Sequence, residues 1–193
     1  MKTVFFDIDS QLDFLYPAGA LYVPSAERIV PAIALLNRYA AQHGITVVST
    51  TDAHAENDPE FAIWPPHCVA GTTGQHKAEA TLLERRLVIP NRECELALDD
   101  AQQIVVEKQT VDVFAAPNLP LVVERLKADR YVVYGVVTEI CVLFAVRGLL
   151  KTGRPVTVVT DAVATLKAED GARALESIRA AGGMLARVSE LAR

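Results

Sequence analysis

The fold of this chain is decided by the stretch YVVYGVVTEICVLFAVRGLLKTG, residues 131–153. It opens with β-branched and aromatic residues at 131–134, a pattern typical of a strand that is buried on both faces. Residues 140–152 then form an amphipathic segment that ends at Gly153, because glycine is the residue type that most often closes a helix. A buried strand followed directly by a helix is the repeating unit of a parallel α/β sheet.

The same alternation of strand and helix recurs along the chain. Further strands are predicted at residues 3–6, 45–49, 104–106, 156–159 and 184–188, and further helices at 26–43, 119–129 and 168–181. We therefore expect a three-layer α/β fold, with a mostly parallel six-stranded sheet and helices on both faces. Residues 51–100 are the exception, because prolines and glycines interrupt every longer element there. We expect this segment to be ordered and functional.

Composition excludes several classes of protein. With 193 residues, 51% of them hydrophobic, the chain is long enough for one compact domain, predicted to span residues 1–193. The formal charge of −5 provides no basic surface for nucleic acid. No apolar run reaches the ~20 residues of a membrane helix, and the first residues lack a signal-peptide pattern, so we expect a cytoplasmic protein. The three cysteines form no CxxC pair, which argues against a disulfide framework or zinc knuckle.

Reactive side chains follow four of the predicted strands. In open α/β sheets, ligands bind beyond the carboxyl ends of the strands. The residues at these ends are Asp9 after the first strand, Asp52 and His54 after the second, Lys108 after the third and Cys141 after the fourth. The sequence therefore predicts that an acid, a candidate pair of metal ligands, a base and a thiol meet at one edge of the sheet.

Cys141 is the candidate nucleophile. Thr138 is predicted to cap the following helix, which places the thiol at the third helical position, where the helix dipole favours the thiolate. Asp9 and Lys108 could supply a proton acceptor and a compensating charge. Taken alone, Cys141 is better explained as a buried core cysteine, since free cysteine is among the most buried residue types, and only its convergence with Asp9 and Lys108 favours the nucleophile.

Asp52, His54 and His67 are candidate metal ligands. Asp52 and His54 are two residues apart, so both side chains point the same way in extended backbone. One carboxylate and two imidazoles leave coordination positions open, as a catalytic or substrate-holding metal requires. A DxH pattern is also common by chance, so the spacing alone leaves this assignment open.

Five motifs resemble one known family over nearly the whole chain. They are FDIDSQLDF at 6–14, TDAH at 51–54, WPPHCV at 64–69, Lys108, and GVVTEICV at 135–142. Together they resemble the isochorismatase-like cysteine hydrolases, and within that family the nicotinamidases, also called pyrazinamidases.

The resemblance implies roles for the catalytic residues. Cys141 would be the nucleophile, Asp9 the general base and then general acid, and Lys108 the charge that stabilises the ionised pair. The backbone N–H groups of Val137 and Cys141 would form the oxyanion hole. The family also has a cis peptide at the bond that corresponds to Val136–Val137.

The resemblance also implies a cofactor and a substrate. Asp52, His54 and His67 would hold a divalent metal, with zinc expected first and iron or manganese as the alternatives. Phe14 and Trp64 match aromatic residues that flank the substrate ring. The implied reaction converts nicotinamide to nicotinate and ammonia through a thioester, and the family habit implies a homo-oligomer with a small carboxamide as its substrate.

Departures from the family pattern and two rival interpretations leave the function open. Ala53, Val137 and the segment 109–117 differ from the usual pattern, so another small carboxamide is an alternative substrate.

The opening VFFDID at 4–9 also looks like the start of a haloacid-dehalogenase-type phosphatase, with Asp7 as nucleophile and Mg²⁺ as cofactor. That interpretation expects a different residue at Gln11 and a second acid near Asp161. A non-catalytic binding protein on a hydrolase scaffold is the other rival.

Overall fold

The computed structural model describes residues 1–98 and 100–192. Within them, seven strands form one sheet in the order β3-β4-β2-β1-β5-β6-β7, and every neighbouring pair is parallel. The strands are β1 Thr3–Ile8, β2 Thr46–Asp52, β3 Arg86–Ile89, β4 Gln103–Lys108, β5 Arg130–Gly135, β6 Val156–Val163 and β7 Met184–Ala186. The predicted α/β class is confirmed, whereas the predicted number of six strands is wrong.

The additional strand is β3, which lies inside the segment predicted to be irregular. It has only four residues and forms the outer edge of the sheet, paired with β4 alone. Arg86 and Val88 are exposed, and only Ile89 is buried. A strand this short and this exposed lacks the long apolar run by which a central parallel strand is recognised, and Pro90 follows it directly.

Helices cover the two faces of the sheet. They are α1 Leu12–Leu15, α2 Val30–Gln42, α3 Leu119–Leu126, α4 Leu143–Leu150, α5 Ala168–Ala180 and α6 Val188–Leu191. The four predicted helices correspond to α2, α3, α4 and α5, whereas α1 and α6 are single turns without a sequence signal of their own. The predicted helix at 26–43 begins with a 3-10 turn, Ala26–Ile29. In the described part of the chain, no helix is long and apolar enough to cross a bilayer.

Strand β1 lies at the centre of the core and contributes to both apolar layers. Val4, Phe6 and Ile8 pack in the layer formed with α3 and α4. Phe5 points to the opposite layer, which contains α2. Burial on both faces explains why the strand is an almost continuous apolar run, as is usual for parallel sheets under helices.

The topology brings four reactive strand ends next to one another. Strands β4, β2, β1 and β5 are adjacent in the sheet. Asp52 and Lys108 are register partners at the ends of β2 and β4, and Ile8 and Gly135 are partners at the ends of β1 and β5. Residues that follow these four strands therefore meet at the carboxyl edge, where open α/β sheets bind ligands.

Candidate active site

The buried ammonium group of Lys108 lies among the other two candidate catalytic residues, Asp9 and Cys141, and the candidate metal ligand Asp52. Lys108 Nζ lies 3.0 Å from Asp9 Oδ2 and 3.8 Å from Cys141 Sγ, and it also donates a hydrogen bond to Asp52 Oδ1. Their side chains are almost inaccessible to solvent. The structure therefore brings together the acid, the base and the thiol that the sequence placed on separate strand ends.

Asp9 is held in an uncommon backbone conformation by strand β2. Its φ of 47° lies in the left-handed region, which few residues other than glycine adopt. Its N–H lies 3.2 Å from both the carbonyl oxygen and the side-chain oxygen of Thr50. The Thr50 hydroxyl also donates a 2.5 Å hydrogen bond to Asp9 Oδ1. These contacts aim the second carboxylate oxygen at Lys108.

Burial and charge set the protonation of this cluster. Burial alone would lower the pKa of Lys108, but the carboxylates of Asp52 and Asp9 outweigh it and hold that pKa well above its usual value. Burial raises the pKa of the Cys141 thiol well above the usual value, and Lys108 only partly opposes this. This direction is opposite to the lowering of the pKa that the helix-dipole argument predicted. A thiol with a raised pKa needs a nearby base to activate it.

The turn that carries Cys141 differs from the predicted helix start. Gly135 ends β5 with a φ of 117°, and a Cβ there would lie 2.0 Å from the Ile8 carbonyl oxygen. The bond Val136–Val137 is cis, as the resemblance implied. A π-helical turn, Thr138–Val142, then leads into α4. The predicted cap is wrong, because the Thr138 hydroxyl donates to the Ala164 carbonyl, 2.7 Å away, and the capping position is Val137.

The three candidate metal ligands converge beside the Lys108 cluster. The Nε2 atoms of His54 and His67 each lie 3.9 Å from Asp52 Oδ2, and one donor atom from each residue lies within 4.8 Å of the others. Residues 67–70 reach this position because the segment pairs with His54, whose N–H donates to the Cys68 carbonyl at 3.1 Å.

The donor atoms of this set fit a divalent metal ion. His54 Nδ1 lies 3.0 Å from Asp58 Oδ2, and His67 Nδ1 lies 2.8 Å from the Pro65 carbonyl oxygen. The Pro65 carbonyl favours the proton on Nδ1 of His67, and the Asp58 carboxylate is close enough to favour it on Nδ1 of His54, so that Nε2 of each ring is left for a ligand bond. Both ring nitrogens of His54 are buried, and neither makes a hydrogen bond of regular geometry within residues 1–98 and 100–192. Burial also lowers the pKa of His67, which favours the neutral imidazole that metals require.

Two polar side chains of the first motif hold these ligands in place. Gln11 accepts a 2.7 Å hydrogen bond from the Asp52 N–H and donates a 2.8 Å bond to the Asp52 carbonyl. Asp13 accepts a 2.7 Å bond from the Cys68 N–H, next to His67. The sequence analysis included both residues in a motif but assigned them no role. Asp52 and Cys68 are more than 40 residues further along the chain, so these contacts leave no local sequence pattern.

A narrow cleft opens onto the thiol. It contains both predicted substrate contacts, Phe14 and Trp64, together with Val137 and Cys141, whose N–H groups were predicted to bind the oxyanion. It also contains residues that the sequence analysis missed, namely Leu21, Glu60, Val111, Ile140 and Leu166. Four of these five are ordinary aliphatic residues, so no sequence signal marked them.

The structure separates the nucleophile of the phosphatase interpretation from the cleft. Asp7 is fully buried, and its carboxylate lies 3.0 Å from Lys77 Nζ and 3.0 Å from Asn37 Nδ2. It is not among the residues that line the cleft. An Asp7 nucleophile would therefore have no access to a phosphate ester.

Comparisons with known proteins agree with this geometry. The isochorismatase domain family matches residues 3–190. The chain is 29% identical over 181 residues to an uncharacterised isochorismatase family protein PncA of Bacillus subtilis, covering 91% of this chain and 93% of that protein. It is 25% identical over 204 residues to the nicotinamidase of Escherichia coli, covering 92% and 91% of the two chains.

A solved structure extends the similarity to three dimensions. The pyrazinamidase of Pyrococcus horikoshii, crystallised with zinc, has a TM-score of 0.81 and 28% identity, covering 97% of this chain and 99% of its own. The family match, the shared fold and the cluster of Asp9, Lys108 and Cys141 at one strand edge lead to the same conclusion. The chain belongs to the isochorismatase family of hydrolases, and it is similar to the nicotinamidases within it.

Proposed function

We propose that the protein is a cysteine amidohydrolase that converts nicotinamide to nicotinate and ammonia. The observation that carries this proposal is the single ammonium of Lys108, which lies within reach of Asp9, Asp52 and Cys141 beneath an apolar cleft. An acid, a cation and a thiol in that arrangement are what amide hydrolysis through a covalent intermediate requires. The similarity to a nicotinamidase and a pyrazinamidase supports an aromatic carboxamide as the substrate.

The proposed reaction begins with proton transfer from the Cys141 thiol to Asp9. The sulfur attacks the carboxamide carbon, and the C–N bond breaks as Asp9 returns the proton to the leaving nitrogen, which departs as ammonia. Asp9 then takes a proton from water, whose oxygen attacks the thioester carbon. The C–S bond breaks, the carboxylic acid leaves, and the thiol regains its proton. Lys108 compensates the negative charge that moves between Asp9 and Cys141 during both formation and hydrolysis of the thioester.

Two further groups support this chemistry. The backbone N–H groups of Val137 and Cys141 are proposed to bind the oxyanion, since both residues line the cleft. Asp52, His54 and His67 are proposed to hold zinc, iron or manganese. When bound there, the ion would offer an open coordination position to a pyridine or pyrazine nitrogen. Phe14 and Trp64 would flank the ring.

A second candidate is a different small carboxamide. Val137 and Val111 both add branched side chains to the cleft, and Val111 lies in the segment that departs from the family pattern. Branched side chains at these positions leave less room in the cleft than smaller residues would, which favours a smaller acyl group. This alternative keeps the mechanism and changes only the substrate.

The experiment that tests the proposal is ammonia release from nicotinamide by the purified protein. Pyrazinamide and several aliphatic carboxamides are assayed in parallel, and the variants are Cys141→Ala and Cys94→Ala. We expect Cys141→Ala to abolish turnover, because the covalent step needs the sulfur, and Cys94→Ala, which removes an exposed thiol, to leave turnover unchanged. Ammonia release from another amide but not from nicotinamide would keep the mechanism and change the assigned substrate. Absence of release from every amide would favour a non-catalytic binding protein.

We also propose that the chain forms a homo-oligomer through a groove between α3 and α4. Its lining includes the apolar residues Phe114, Pro120, Val123, Phe144, Leu150 and Ala181 and the charged residues Asp112, Glu124, Arg147 and Lys151. A two-fold interface must be complementary to itself, and a patch that carries both signs of charge around an apolar centre meets this requirement.

A further inference from the structure

Glu139 stands two residues before the nucleophile, and its carboxylate binds a loop from another part of the chain. Its Oε2 accepts a 2.6 Å hydrogen bond from the Thr165 hydroxyl. Its Oε1 accepts bonds from the N–H groups of Leu166 at 2.9 Å and Lys167 at 3.2 Å. Hydrogen bonds to an ionised carboxylate are about twice as strong as neutral ones, so this is a firm attachment.

The neighbouring residue strengthens the same attachment. The Thr138 N–H and hydroxyl both donate to the Ala164 carbonyl, at 2.8 Å and 2.7 Å. Two consecutive residues of the nucleophile turn thus hold four consecutive residues, 164–167, of the loop between β6 and α5. We call this set of hydrogen bonds the loop clasp.

The loop clasp also replaces a missing helix cap. The capping residue of α5 is Lys167, and no side-chain cap bond is present there. The Glu139 carboxylate satisfies the N–H of Lys167 instead, and its negative charge lies near the positive end of the helix dipole. Without Glu139, residues 165–167 would lose three hydrogen bonds to the nucleophile turn, and Thr138 would hold only Ala164.

The position of this loop matters because Leu166 forms one wall of the substrate cleft. Leu166 lies in the cleft lining with Ile140 and Cys141, which directly follow Glu139 in sequence. Glu139 itself is absent from the lining. An effect of Glu139 on the substrate can therefore act through the loop and Leu166, or through the adjoining turn that carries Ile140, and a Leu166 double variant distinguishes the two routes.

We propose that Glu139 is a positioning residue that, through Leu166, sets the largest acyl group the cleft admits. The inference rests on the proposed amidase function and specifies which substrates that site selects. A fixed Leu166 excludes acyl groups larger than a single substituted ring, whereas a mobile loop would admit them. A purely structural role for Glu139 would lower stability without changing the preference between small and large substrates.

The test measures this preference in Glu139→Ala, Glu139→Gln, Leu166→Ala and the Glu139→Ala/Leu166→Ala double variant. The substrates are nicotinamide and quinoline-3-carboxamide, which adds a fused ring. We expect Glu139→Ala and Leu166→Ala each to raise kcat/KM for the larger amide relative to nicotinamide by at least about tenfold. The KM for nicotinamide should rise more than kcat falls, because the wall contributes binding rather than chemistry.

Three comparisons make the test specific. Glu139→Gln should stay near wild type, because its amide can still accept from Leu166 and Lys167 and can donate to Thr165. The double variant should change the preference no more than the larger single variant, since both act through Leu166. Glu176→Ala, which removes an exposed glutamate of α5, should change nothing. Should Glu139→Ala fail to fold, Thr165→Val removes one bond of the loop clasp and undergoes the same comparison.

A second measurement separates this inference from the proposed function. The rate of Cys141 alkylation is compared for iodoacetamide and for the bulkier N-phenyl iodoacetamide, with the modified site mapped by mass spectrometry. We expect Glu139→Ala to accelerate the bulky reagent selectively, whether or not the protein hydrolyses nicotinamide. The inference would be overturned if a folded Glu139→Ala variant kept the wild-type ratio of kcat/KM between the two amides and the wild-type ratio of alkylation rates between the two reagents. It would also be overturned if the changes in preference caused by Glu139→Ala and Leu166→Ala multiplied in the double variant. Missing turnover with a selective alkylation change would reject only the proposed substrate.

Discussion

At the residue scale, the charges around Lys108 determine how the site works. Asp9 and Asp52 share one ammonium, so the three groups carry one net negative charge when all are ionised. A second negative charge on Cys141 is therefore unfavourable, in keeping with its raised pKa. A divalent ion held at Asp52 would compensate this excess. Chemistry at the thiol and binding of such an ion would then be coupled through Asp52.

The pKa of Asp52 leads to a pH dependence of metal binding. Burial raises this pKa to about 6, and Lys108 only partly opposes the change. Below that pH the carboxyl is protonated in the metal-free protein, and the ion must displace the proton. We expect zinc affinity to be insensitive to this group above pH 7 and to fall by about tenfold per pH unit well below 6. Calorimetric titration of the metal-free protein at pH 5, 6, 7 and 8 measures this dependence, and equal affinities at pH 5 and 7 would contradict it.

Asp58 provides a second prediction about the metal set. Because its carboxylate lies 3.0 Å from His54 Nδ1, it orients the ring and increases the basicity of Nε2. We expect Asp58→Asn to weaken zinc binding about 10- to 100-fold, as loss of such partners usually does. Competition with a chromophoric chelator measures the affinity, with Glu56→Gln, an exposed acid on the same loop, as the control. Equal affinities for Asp58→Asn and wild type would exclude this role.

At the element scale, a second buried ion pair joins β1 to the irregular segment. Lys77 Nζ lies 3.0 Å from Asp7 and donates a 2.6 Å hydrogen bond to the Ser10 hydroxyl. Beside it, the Ala78 N–H donates to the Ser10 carbonyl at 2.9 Å. These contacts hold residues 76–78 against the turn that carries Asp9. The pair therefore supports the turn that carries Asp9.

We expect Lys77→Met to be strongly destabilising, since it leaves the Asp7 carboxylate buried without its cation. Breaking a buried pair in this way costs about 3–5 kcal/mol of unfolding free energy. Urea unfolding followed by circular dichroism measures the loss. The double variant Asp7→Asn/Lys77→Met should recover part of it, and Lys2→Met, at an exposed lysine outside the groove, is the control. If Lys77→Met lowered the free energy of unfolding by less than about 1 kcal/mol, the ion pair would not contribute substantially to stability.

At the scale of the whole molecule, strand order decides where the chemistry lies. Strand β1 has β2 on one side and β5 on the other, so the chain builds half of the sheet in each direction from it. The four reactive ends meet around this central strand, where doubly wound sheets form their binding crevice. The helices that cover the sheet leave the α3–α4 groove exposed on a different face.

The groove leads to a prediction about assembly. We expect light scattering coupled to size-exclusion chromatography to give a mass above 20.9 kDa for the wild type, because two copies can cover the groove. Phe144→Glu should shift the protein toward the monomer, since it places an unpaired charge in the apolar centre. Leu35→Glu, at an exposed leucine of α2, is the matched control. A monomeric wild type at micromolar concentration would refute the proposed assembly.

Much of this protein can be predicted from its sequence. Apolar runs and helix periodicity predicted the α/β class, because burial on both faces of a parallel sheet leaves a continuous apolar signal in each central strand. Short motifs predicted Asp9, Lys108 and Cys141, since reactive residues directly after a strand must lie at its carboxyl end. The single domain, the oligomeric state, the cytoplasmic location and the role of each site residue stay predictions.

Other features were decided only by the tertiary structure. The edge strand β3 depends on pairing with β4, and the Leu166 wall depends on the bonds that Glu139 makes with a loop 26 to 28 residues away. The pKa of Cys141 is raised where the helix-dipole argument predicted a lowering, because a local helix signal carries no information about burial or about the carboxylates of Asp9 and Asp52. Each of these depends on contacts between residues distant in sequence. Local patterns determine which elements form, and long-range packing determines what surrounds each reactive atom.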